Sequence, residues 1–147
     1  MSQNSDKAVA MFNQGFNCAQ SVLTACGEPL GLPRDTALRV AGPFGGGMGR
    51  MGYTCGAVTG ALMAIGVKHP ITDPADPKPK QQAYKLAQEF MQQFKKRHGS
   101  LACRDLLGCD LSTPEGLKEM QDKGLHKTIC NGLVRSGAEI VDELLAH

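Results

Sequence analysis

The sequence has no tryptophan and only two tyrosines and five phenylalanines among its 147 residues. A surface that stacks nucleic-acid bases needs aromatic faces, so that class of function has little to work with. Neither sign of charge dominates: 16 Lys and Arg against 14 Asp and Glu leave a net charge of +2. Dedicated nucleic-acid or membrane-surface binders carry a lopsided basic field, and none is present. The N-terminal MSQNSDKAV has no basic n-region and no apolar h-region, so no secretory signal is visible and a cytoplasmic location is expected. The most apolar uncharged stretch, Thr54 to Val67, would extend about 20 Å as a helix, too short to cross a bilayer.

Familiar site motifs are missing too. There is no Cys-x-x-Cys, which removes thioredoxin-like pairs, zinc ribbons and haem attachment. There is no His-Glu-x-x-His and no Gly-x-Ser-x-Gly, and the glycine-rich segment is not followed by Lys-Ser or Lys-Thr, so it is no Walker-type phosphate loop.

What is present reads as helix. Hydrophobic residues make up 41% and charged residues 20%, ordinary usage for one globular domain spanning residues 1–147. Val9, Phe12, Phe16, Ala19, Leu23 and Cys26 recur at spacings of three and four, which predicts one helix from Asp6 to Cys26. Pro33 suits the first turn of a short helix reaching about Ala41. The segment GPFGGGMGRMGYTCG, residues 42–56, holds seven glycines in fifteen and must be a loop with unusual backbone angles. Thr54 is the expected N-cap of a helix from Cys55 to Lys68, apolar on every face and so the buried centre of the fold. Four prolines in residues 70–80 predict a connector. Ala83, Ala87, Phe90 and Phe94 then mark an amphipathic helix ending near Arg97, and Ser100 is read as the N-cap of a short helix ending at Gly108. Thr113-Pro114-Glu115 starts another, and the last runs from about Leu125 to Leu145. No period-two strand pattern occurs, so the fold expected is an all-α, single-domain helical bundle around a buried central helix preceded by the glycine-rich loop.

Six cysteines are many for a chain able to fill its own core, and a reducing compartment disfavours structural disulfides. Their settings differ. Cys55 leaves the glycine loop in a helix first turn, where free N–H groups favour a thiolate, and it is the candidate reactive thiolate. Cys103 falls in another first turn, beside Arg104. Cys18 lies on the small-residue face of the first helix, and Cys130 on the apolar face of the last. Cys26 packs on the bulky stripe and Cys109 reads as a tolerated surface thiol. Met48 and Met51 are read as gap fillers and His126 as an ordinary polar residue, although its spacing from Cys130 suits a ligand.

Spacing alone does not bring the four cysteines together. The segments FNCAQSVL, FGGGMGRMGYTCGAVTGAL, GSLACRDLLG and CNGLVRSGAEIVDELL resemble, in order and over nearly the whole chain, the C-GCAxxG-C-C family of redox-active proteins. Residues 55–60 read Cys-Gly-Ala-Val-Thr-Gly, a CGAxxG form of the central motif. The resemblance places the motif cysteines at Cys18, Cys55, Cys103 and Cys130. It implies a redox-active protein, with room for an oxidoreductase or an electron carrier, and supplies a class rather than a reaction. Four thiolates suit an iron–sulfur cluster, most simply a two-iron one, passing electrons to a redox partner protein. The alternatives are cofactor-free thiol–disulfide chemistry, with Cys55 as the attacking thiolate, a structural zinc site on the same four ligands, and a helical interaction module. Neither nucleic acid nor membrane is expected as a partner, and a homodimer is allowed.

Overall fold

Where the chain turns helical is set by residues that can satisfy a first turn. In the computed structural model, which describes residues 2–146, Ser2 caps α1 (Gln3–Asn13) and exchanges hydrogen bonds with Ser5. Asn17 caps α2 (Cys18–Gly27) the same way: its side chain accepts from the Gln20 N–H at 2.9 Å, and the Gln20 side chain accepts from the Asn17 N–H at 3.1 Å. The continuous helix expected from Asp6 to Cys26 is therefore two helices, divided at Gly15, whose φ is +111°. Two reciprocal hydrogen bonds satisfy first-turn N–H groups, and that outweighs continuation of the apolar stripe.

The chain continues through α3 (Arg34–Ala41), with Pro33 as its N-cap, into the glycine loop. The central helix α4 (Gly56–Lys68) begins one residue later than expected, with Cys55 itself at the N-cap. Thr54 instead forms an isolated antiparallel bridge with Ala102. Gly56, Ala57, Val58, Thr59, Gly60 and Ala61 are all buried, whereas the last turn of α4 reaches the surface. The expected connector over 70–80 is shorter than its prolines suggest: Asp76 caps α5 (Pro77–His98), so Pro77 and Pro79 lie in a first turn that needs no N–H from them. Two short helices follow, α6 (Cys103–Leu107) with Ala102 rather than Ser100 as N-cap, and α7 (Pro114–Asp122) capped by Thr113. A π turn over His126–Cys130 leads into α8 (Asn131–Leu145).

The described residues thus form an all-α domain of eight helices with no strand. Helix α2 lies closest to α4, because Gly60 leaves room for the Ala19 carbonyl: a Cβ there would stand 2.7 Å from that oxygen. Helix α8 crosses α4 at Gly137, which faces the Ala57 carbonyl. Helix α5 closes the far side with Phe90 and Phe94, both fully buried and stacked at 5.9 Å. No helix among the described residues is long and apolar enough to cross a membrane.

Candidate functional site

The glycine loop does most of the positioning. After a tight turn at Gly42–Phe44, residues 46 to 50 all take positive φ, an unbroken left-handed turn that includes two non-glycine residues, Met48 and Arg50. Left-handed backbone costs an L-residue about 1–2 kcal/mol, so this shape is held by its surroundings. The holding bonds run from the Arg50 N–H to the Gly45 carbonyl, from Gly52 to Gly46, and from Tyr53 to Gly47, at 3.1, 3.2 and 2.9 Å. The Asn17 side chain ties the loop to α2 by donating to the Gly42 carbonyl at 2.9 Å.

Beyond the turn, residues 52–55 run antiparallel to 101–104. The Cys55 N–H donates to Leu101, the Cys103 N–H to Tyr53 and the Arg104 N–H to Gly52. This clip sets Cys55 and Cys103 side by side. Gly47 lies directly against Cys103, where a Cβ would come within 2.6 Å of the cysteine Cβ. Gly56 does the same for the first cysteine: a Cβ there would meet the Ala19 nitrogen at 2.9 Å and the Cys18 Cβ at 3.0 Å. Cys130 ends the π turn, a deformation often found at functional sites.

Cys18, Cys55, Cys103 and Cys130, from four separate elements, therefore all line one cavity of about 810 Å³. Cys55, Cys103 and Cys130 are buried and Cys18 half-buried, and none is in a disulfide. The Cys18 and Cys130 thiols lie within interaction range of each other and perturb one another. Contact with the Cys18 thiol holds the Cys130 pKa below the ordinary thiol value despite burial. The same contact, then burial and then the other three sulfurs, drives Cys18 well above it. Burial pushes Cys55 up to about 11, although the N–H groups of Ala57 and Val58 pull the other way. Cys103 is pushed by burial up to about 12, with Cys55 and Cys130 adding to the rise. At Cys55 the helix start does not offset full burial, whereas contact with Cys18 favours the thiolate at Cys130.

Cys26 stands apart, its thiol raised by burial and by Asp142. Cys109 is not the surface thiol expected from its place after Gly108: it is buried, within electrostatic reach of Cys103 and Cys130, yet it does not line the cavity. Met48 and Met51 are exposed rather than filling gaps. His126 does line the cavity, its ring packed on Phe12 at 5.4 Å, and burial followed by the nearby Arg50 lowers its pKa.

Among the described residues no three His, Cys, Asp or Glu side chains converge on a point that could hold a single metal ion. A mononuclear zinc site needs four donors at about 2.0–2.3 Å from one centre, so the thiols as they stand do not fit it.

The described residues thus form a helical domain in which four cysteines from separate elements wall a common cavity. The family model described as "Putative redox-active protein (C_GCAxxG_C_C)" matches residues 16–144, and the chain belongs to that family. No curated protein and no solved structure matches the chain.

Proposed function

We propose that this redox-family protein carries electrons on an iron–sulfur cluster, most simply a two-iron one, held by Cys18, Cys55, Cys103 and Cys130. The observation that supports this is the delivery of all four thiols, from four elements, to one cavity otherwise walled largely by apolar side chains and glycine backbone. When bound, such a cluster supplies a one-electron couple. The chain's own contribution is to keep water from the ligands through Leu107, Leu111, Met120 and Leu133, and to fix the sulfurs through the clip and the close glycines. A redox partner protein would exchange the electron.

Anaerobic purification followed by absorption spectroscopy with iron and sulfide analysis tests the reading. Iron and acid-labile sulfide in equal amounts are expected, lost on Cys18→Ser, Cys55→Ser, Cys103→Ser or Cys130→Ser and kept in Cys26→Ser. Absence of both iron and sulfide ends it. The contact between the Cys18 and Cys130 thiols supports a second reading, a reversible disulfide between these two residues. Closing it would form one S–S bond and release two protons and two electrons to a disulfide or other thiol-oxidising partner. Mass spectrometry of the oxidised protein, free of metal, would then find that pair linked.

A further inference from the structure

The cavity that the cysteines line is much larger than the sulfurs need, and its mouth has a chemistry of its own. Its floor is Cys55, Cys103, Cys130 and buried apolar side chains, whereas Arg50, His126 and Lys127 stand at the exposed rim. No Asp or Glu lines it, although the chain has 14 of them. Arg50 and Lys127 take part in none of the ion pairs formed among the described residues, whose cations are Lys7, Arg34, Arg39, Arg104, Lys123 and Arg135. Two cationic residues outside every one of those ion pairs thus line the same cavity, brought there from distant parts of the chain by two unusual backbone features. Arg50 ends the left-handed turn, with its side chain folded over Gly46, and Lys127 lies in the π turn. Phe12, Phe16 and Pro43 complete the wall between rim and floor.

From this placement we infer that the cavity is also a binding site for a small organic carboxylate, its anionic head held by Arg50 and Lys127 and its apolar body against Phe12 and Phe16 above the cysteines. Guanidinium and ammonium groups at the edge of an apolar-walled pocket recognise a carboxylate by charge-assisted hydrogen bonds. The absence of any acidic side chain from the lining removes the repulsion that would select against it. The inference goes beyond electron carriage and holds whichever group the cysteines carry.

Benzoate and its neutral isostere benzamide are the probes, titrated by calorimetry into the protein as isolated anaerobically and again after chelator treatment, with metal content measured in both. Benzoate is expected to bind both forms at least about tenfold tighter than benzamide, with affinity falling as salt is raised. Arg50→Gln and Lys127→Gln are each expected to weaken benzoate about tenfold while leaving benzamide unchanged. Circular dichroism would confirm that each variant is folded, and Arg50→Lys provides a charge-conserving check at the left-handed position. Equal binding of the two probes, no binding of either, or unchanged benzoate affinity in both glutamine variants would overturn the inference. So would binding confined to the metal-stripped form, which would make the two cations simple counter-charges for the cluster. A protein lacking iron and sulfide that still binds benzoate through Arg50 and Lys127 would refute the cluster and leave this site standing.

Discussion

The wall of the cysteine cavity and the layer where α5 packs on α4 and α8 are built on different terms. The α5 layer is regular: Ala83, Leu86, Phe90 and Phe94 keep helical spacing and bury large side chains. At the cavity α2, α4, α6 and α8 begin, the backbone turns left-handed, and Gly47 and Gly56 stand where a side chain would meet Cys103 and Cys18. One region gains stability from apolar area. The other gives up side-chain packing to bring sulfur atoms and backbone close together.

That difference can be broken or sharpened by experiment. Phe90→Ala should have the largest effect on stability, about 3–5 kcal/mol by chemical denaturation, because it empties a fully buried site. On the cluster reading the folded fraction should keep the iron content of the wild-type protein, and loss of that metal in folded Phe90→Ala would show that the two regions are not separable. Gly47→Ala should cost about 2–4 kcal/mol, since φ there is +69° and a Cβ would meet Cys103 and the Tyr53 nitrogen. Unlike the phenylalanine change, it should also abolish metal binding in the protein that still folds. Cys26→Ser should cost about 1–2 kcal/mol, the penalty of a buried hydroxyl, with an unaltered absorption spectrum. The smallest effect is on labelling. In metal-free protein, iodoacetamide at pH 8 should reach Cys130 before Cys55, because Cys130 is held below the ordinary thiol pKa and Cys55 is raised to about 11. Raising the pH should speed Cys55 steadily up to about 11 while Cys130 reaches its plateau earlier, and Cys18→Ala should erase the Cys130 advantage.

The regular region was also the more legible one. Apolar periodicity located α5, and the charge-free run from Cys55 to Val67 located the buried helix. The break between α1 and α2 left a readable signal, Asn17-x-x-Gln20 after Gly15, but Phe12, Phe16 and Ala19 keep helical spacing across it by coincidence. Glycine density announced a loop over 42–56 without its handedness, because consecutive left-handed residues depend on hydrogen bonds that the sequence does not display. Which cysteines belong together came from family resemblance, since their spacing says nothing about four helices folding onto one cavity. The cationic rim had no sequence signal, because Arg50 and Lys127 become neighbours of one opening only through the turn and the π distortion.

The pairing of Cys18 with Cys130 also fixes a timetable. During synthesis Cys18 and Cys55 leave the ribosome with α2, the glycine loop and α4, whereas Cys130 follows only when the last helix is nearly made. Contacts between residues so far apart in the chain close late in folding. Until Cys130 is made, the nascent protein therefore carries an incomplete set of the four cavity cysteines. Any group that needs all four thiols can be held only after that last cysteine has joined the other three.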